Sequence, residues 1–256
     1  MIADKIKYIA YYTFKELYKS KILLNVFFIG LGLMLVVYVA TEFTYGVPQR
    51  VAIDFGLGML SISSIAISLF LGVGLLSKEI ESRTVYMIIS RPVPRYAFIL
   101  GKLTGLLGIQ TLNVLILSVM TLVSTVLLGG EFDSLILWAI LFIFLESVLL
   151  LLVVVFISLL ANNILAVLFS VILLLLGHSI KDTQNLSFVQ GTFVETILDF
   201  YHFVLPAFYK LNLKDFVLYQ KELPLSYLLP SLCYGALYSL ALLLFIIFIF
   251  NRKNID

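Results

Sequence analysis

Residues 135–180 read LILWAILFIFLESVLLLLVVVFISLLANNILAVLFSVILLLLGHSI. Two apolar runs, 135–160 and 164–180, are separated only by Ala161-Asn162-Asn163. A helix rises about 1.5 Å per residue, so about 20 residues cross about 30 Å of hydrocarbon. Backbone groups in lipid must be paired within the segment, so the runs are helices unless strands close into a barrel. The period-two alternation of barrel strands is missing, which disfavours that alternative. Three residues leave room only for a tight turn, so the stretch predicts two antiparallel membrane helices.

The same reading extends along the chain. Apolar runs occur at 22–41, 55–76, 98–128, 135–160, 164–180 and 227–250, which predicts an all-α integral membrane protein with six transmembrane helices in a single domain, 1–256. The composition agrees: 62% of the 256 residues are hydrophobic and mean hydropathy is +1.11, whereas soluble domains are about 45–50% apolar. The one cysteine, Cys233, excludes an internal disulfide and a cysteine metal site. A net charge of +2 offers no basic surface for nucleic acid. The first run exceeds an ordinary signal-peptide core and follows about 20 residues, so a cleaved leader is not expected.

Basic residues set the orientation. With the N-terminus cytoplasmic, the inner segments hold 12 of the 17 Lys and Arg, and the outer segments hold Arg50, Lys181, Lys210, Lys214 and Lys221. Both termini are then cytoplasmic. Residues 1–21 form a basic amphipathic helix, with Ile2, Ile6, Ile9, Ala10, Thr13, Phe14 and Leu17 on one side, suited to the cytoplasmic interface and its lipid. Tyr8, Tyr11 and Tyr12 share the lysine side, which a pure lipid anchor does not require. The long segment 181–226 contains TFVETILDFYHFVLPAF at 192–208, too short and polar to span, and reads as helices dipping into the outer interface.

The cytoplasmic segment between spans two and three, SKEIESRTVYMIISRPVPR at 77–95, carries six charges and two prolines. Val85, Ile88 and Ile89 give a short helix one apolar face, and Pro92 ends it. Extended to KEIESRTVYMIISRPVPRYAFILGK, the pattern resembles the first cytoplasmic loop of ABC-2 type transporter permeases. Glu79, Glu81, Thr84, Ser90, Arg91, Pro92, Pro94, Phe98, Gly101 and Lys102 carry the likeness. Many members have glycine just before the threonine, where this chain has Arg83. The elbow-like N-terminal helix, six spans and helical outer loop extend the resemblance over essentially the whole chain. It is nearest to small bacterial permeases of the nitrous-oxide reductase maturation kind.

The resemblance implies a type V exporter-like fold in the bacterial cytoplasmic membrane. Segment 77–97 would be the coupling helix, touching an ATPase subunit through Glu79, Glu81, Arg83, Thr84, Tyr86, Met87, Ser90 and Arg91. Two permease chains, identical or not, would pair over two ATPase subunits. The chain has no phosphate loop: its Gly101-Lys102 is followed by Leu103 and has Tyr96 where the first glycine belongs. No cofactor is therefore expected on this chain, ATP and magnesium belong to the partner, and the chain is not an enzyme by itself.

Glu146 is the one acid well inside a span, where an ionisable group is costly and a functional candidate. A polar clamp with Gln110 and Asn113, three apart on span three, is the first expectation, and a substrate or proton role the second. The latter would make a proton-coupled carrier. Some members of the family also use ATP for membrane remodelling or mechanical transmission rather than transport. Glu195, Asp199 and His202 share one helix face and read as the solvated side of an outer gate helix, since one nitrogen ligand is poor for metal. His178 stands alone near a span end and is predicted interfacial. In span two, Gly56, Gly58, Ser61, Ser63, Ser64, Ser68, Gly72 and Gly74 suit either close helix approach or a lined path.

Overall fold

The computed structural model describes residues 2–43, 48–81, 94–130, 133–183, 201, 204–218 and 224–252, with the backbone alone at 76–81, 181–183, 215 and 225. In chain order the elements are α1 (Ile2–Lys19), α2 (Ile22–Glu42), α3 (Pro48–Glu81), α4 (Arg95–Leu127), α5 (Ser134–Leu160) and α6 (Asn163–Thr183). A 3-10 turn (Phe208–Leu211), α7 (Lys214–Leu218) and α8 (Leu225–Arg252) follow. No strand occurs among the described residues. Among the described residues six helices are long and apolar enough to cross a membrane, one for each predicted run.

Local chemistry sets the ends. The Asp133 carboxylate accepts the Leu135 N–H at 3.0 Å and caps α5. Ala161 is extended and ends that helix. Asn162 Oδ1 then accepts the Leu165 N–H at 2.9 Å and starts α6. The tight turn is thus two residues, one closing a helix and the next opening its neighbour. Pro94, extended, precedes the first residue of α4.

Helix α5 is the hub. It packs against α3, α4, α6, α7, the 3-10 turn and α8. Two apolar cores share helices α3, α4 and α5. One joins Leu71, Leu75, Leu103, Leu106, Leu152 and Val155. The other joins Leu57, Leu60, Leu117, Ile136, Phe142 and Ile143. Between these cores each of the three helices carries buried polar residues: Ser63, Ser64 and Ser68 on α3, Gln110 and Asn113 on α4, and Glu146 and Ser147 on α5. The bundle therefore has a polar layer held between two apolar ones.

The amphipathic helix predicted over 1–21 is α1, but its apolar side faces protein. Ile6, Ile9, Ala10, Thr13 and Phe14 lie against Gly101, Gly105 and Gly108 of α4. A methyl built at Gly101 would stand 2.7 Å from Ile9 Cβ and 3.0 Å from the Ile6 carbonyl. Three glycines on one side of α4 leave a flat strip that lets α1 approach the α4 backbone closely. The polar side, with Tyr8, Tyr11, Tyr12 and Tyr18, remains exposed.

Helix α3 has 34 residues and α4 has 33, which is about 50 Å each against a hydrocarbon thickness of about 30 Å. Ser77–Glu81, predicted to belong to a separate short helix, continues α3 without a break. The outer part of that prediction, 82–93, lies outside the described residues.

Candidate functional site

The polar layer is the best-defined constellation of functional groups. Gln110 and Asn113 stand one turn apart on the α4 side that meets α3. Gln110 Nε2 donates to the Ser64 carbonyl at 3.2 Å. Asn113 Nδ2 donates to Ser64 Oγ at 3.1 Å, and Ser63 Oγ donates to Asn113 Oδ1 at 3.0 Å. Ser68 Oγ donates to the Ser147 carbonyl at 2.8 Å and ties α3 to α5. Interhelical hydrogen bonds in membranes are worth about 0.6 kcal/mol on average. Gln110 Oε1, fully buried, has no hydrogen-bond partner.

This corrects the predicted clamp. Glu146 meets neither Gln110 nor Asn113, because those two are on the α4 face toward α3, whereas Glu146 is on the α5 face toward α6. Its neighbour is His178, with Nε2 at 3.3 Å from Glu146 Oε1. Glu146 is buried, and His178 is partly so. His178 is therefore not alone. The sequence held the signal: Glu146 precedes Asn162 by sixteen residues, and His178 follows it by sixteen. In an antiparallel pair turning at Asn162, both lie about 24 Å from the turn.

The segment after residue 200 completes this site. Phe208 is fully buried and lies parallel to the His178 ring, 6.1 Å between centroids and 4° between planes. The Pro206 carbonyl and Phe208 crowd against Gly177, where a side chain would clash. Four tyrosines fasten the segment. Tyr201 donates its hydroxyl to the Leu176 carbonyl, and Tyr238 donates to the Val204 carbonyl at 2.9 Å. The Ala207 N–H donates to Tyr234 Oη at 2.7 Å, and Tyr227 donates to the Lys210 carbonyl at 3.4 Å. Burial raises the Tyr201 hydroxyl above its ordinary 10.0, so it stays a donor at neutral pH. Lys214, at the start of α7, is near enough to act electrostatically on both Glu146 and His178.

No protein-family model matches the chain, and no curated protein matches its sequence. Function must therefore be argued from the residues themselves.

The other predicted site residues fall mostly elsewhere. Glu79 and Glu81 occupy the last turn of α3. Arg83, Thr84, Tyr86, Met87, Ser90 and Arg91 lie outside the described residues, as do Glu195, Asp199 and His202. Among the described residues no group of three metal-ligating side chains occurs. A cleft of about 350 Å³ opens between α1, α3 and α4, with Leu17, Phe70, Leu75 and Leu106 on its walls and Glu16 and Lys102 also lining it. It is separate from the polar layer and lies on the side of the bundle where α1 packs.

Proposed function

We propose that this chain is the membrane-spanning permease subunit of an ABC-2 type transporter. It would pair with a second permease chain and be driven by separate ATPase subunits that bind ATP and magnesium. The sequence pattern from Glu79 to Lys102 supports the reading, and one observation carries it mechanically. That pattern links the end of α3 to the start of α4, and both helices run unbroken from there into the polar layer. A push on 77–95 would travel along two stiff helices to the centre of the bundle, as in rigid-body switching. Charges at Glu79, Glu81, Arg83 and Arg91 would fix the register of docking more than its strength.

The excess of Lys and Arg on the α1 side supports a cytoplasmic location for that side and for both termini, in a bacterial cytoplasmic membrane. Glu195, Asp199 and His202 would then belong to a gate on the opposite side, and the direction of transport would be export.

Purification of the tagged full chain in mild detergent, with identification of co-purifying proteins and an ATP hydrolysis assay, tests this. An ATPase of domain size should accompany the wild type and be lost with Glu79→Lys and Arg83→Glu. Absence of any ATPase, with none binding when supplied, overturns the reading. The second reading, a proton-coupled carrier, is favoured by the Glu146–His178 contact and predicts that absence.

A further inference from the structure

We propose that Glu146 and His178 form a one-proton binding site that fastens segment 204–211 to the bundle. The chemistry follows from which atoms face each other. His178 Nδ1 is 3.0 Å from the Leu174 carbonyl, one turn earlier on α6. A carbonyl only accepts, so Nδ1 carries the hydrogen. In the neutral imidazole Nε2 then presents a lone pair, and it faces Glu146 Oε1 at 3.3 Å. A lone pair against a carboxylate oxygen is repulsive, and the approach becomes attractive only with a proton between them.

With that proton the pair is neutral overall, whether written as carboxylic acid with imidazole or carboxylate with imidazolium. Without it the pair is −1, and with a second it is +1. The +1 state is costly in an apolar bundle beside Lys214, whereas Lys214 offsets the −1 state, which is disfavoured by the Nε2 lone pair set against the carboxylate oxygen. The groups facing the pair do not supply the missing proton. On α3 and α4 the nearby polar groups are neutral and engaged with each other, Gln110 and Asn113 with Ser63 and Ser64, and Ser68 with the Ser147 carbonyl. From α7, Lys214 acts on both partners. The Lys210 ammonium of the 3-10 turn lies 4.6 Å over the Tyr234 ring. From α8, Tyr234 and Tyr238 are engaged with Ala207 and Val204.

The consequence reaches the segment because the His178 ring is also the surface on which Phe208 lies, with Pro206 against the adjacent Gly177. An imidazole that turns to escape an unbalanced charge carries away the floor under Phe208. Segment 204–211 is seated when the pair holds one proton and released when it holds none or two. This does not depend on whether an ATPase drives the chain.

Two measurements on the full chain in lipid nanodiscs test it. The chain has two histidines, so His202→Asn with ¹⁵N-histidine leaves one imidazole for NMR. Its Nδ1 should be protonated throughout. The titration of Nε2 should differ from that in Glu146→Gln, His202→Asn. Second, hydrogen exchange of 204–211 is followed from about pH 5 to about pH 9 and corrected for intrinsic rates. Wild-type protection should fall about tenfold or more toward at least one end, the change that one unit of coupling gives. Glu146→Gln, whose amide can donate to the neutral Nε2, should hold the segment at the alkaline end, where the unprotonated wild-type pair releases it. A flat wild-type profile, or the same imidazole titration with and without Glu146, overturns the proposal.

Discussion

Gly105 of α4 faces Thr13 of α1 so closely that a methyl group there would stand 2.6 Å from Thr13 Cβ and 2.9 Å from the Ala10 carbonyl. Gly101 and Gly108 repeat the approach one turn to either side, so the side chains of Ile9, Thr13 and Phe14 rest directly on the α4 backbone. Gly105→Leu should therefore lift α1 from α4. Overpacking of this kind costs about 1–3 kcal/mol. Trypsin cleavage after Lys15 and Lys19 reports the change and should accelerate. Unchanged cleavage would mean that α1 is held chiefly by its link to α2.

Asn113 is bonded at both ends of its amide, to Ser63 and to Ser64. Asn113→Leu keeps the volume and removes both bonds, so about 1 kcal/mol of stability should be lost. Ser64→Ala should lose less, because one bond remains between Asn113 and Ser63. The double variant should lose less than the sum, since the two sites share a bond. Additive losses in reversible unfolding from detergent would show that the amide and Ser64 act separately.

The existence and number of spans were legible because burial in lipid demands long apolar runs, whichever neighbours those runs find. The tight turn at Ala161-Asn162 was legible for the same reason. Partners were harder. Gln110, Asn113 and Glu146 all stood out as polar groups in apolar helices, yet which face of α4 meets which helix depends on packing of the entire bundle. His178 is not alone, and its partner could be read from its distance to Asn162, which matches that of Glu146. The seating of Phe208 against His178 has no local signature at all. It arises from residues 206–208, distant from His178 in sequence, packing against α6.

Tyr201 gives a pH dependence whose sign can be worked out. Burial raises its hydroxyl above 10.0 in the folded chain. A raised value means a contribution fully present below the unfolded value and lost as pH climbs through the folded one. The phenolate also cannot donate to the Leu176 carbonyl. Tyr201→Phe should thus melt at a lower temperature than wild type at neutral pH, and the gap should narrow once pH passes about 10. A gap that persists in alkali would assign the difference to packing of the ring.

Tyr234 and Tyr238 both hold the returning segment, but removing their hydroxyls should not cost the same. The Ala207 N–H that donates to Tyr234 belongs to a residue only 5% exposed. In Tyr234→Phe that amide loses its acceptor where water has little access, and a buried unpaired group costs about 1–3 kcal/mol. The aromatic face under Lys210 is kept in phenylalanine, so the loss isolates the hydroxyl. Tyr238 instead donates to the carbonyl of Val204, which is 45% exposed. That carbonyl can find another donor, so Tyr238→Phe should cost less than about 1 kcal/mol. Unfolding of the two variants in the same micelles, with hydrogen exchange at 204–211, checks the order. Equal losses would mean that the backbone at Ala207 is solvated and that the segment rests on Phe208 alone.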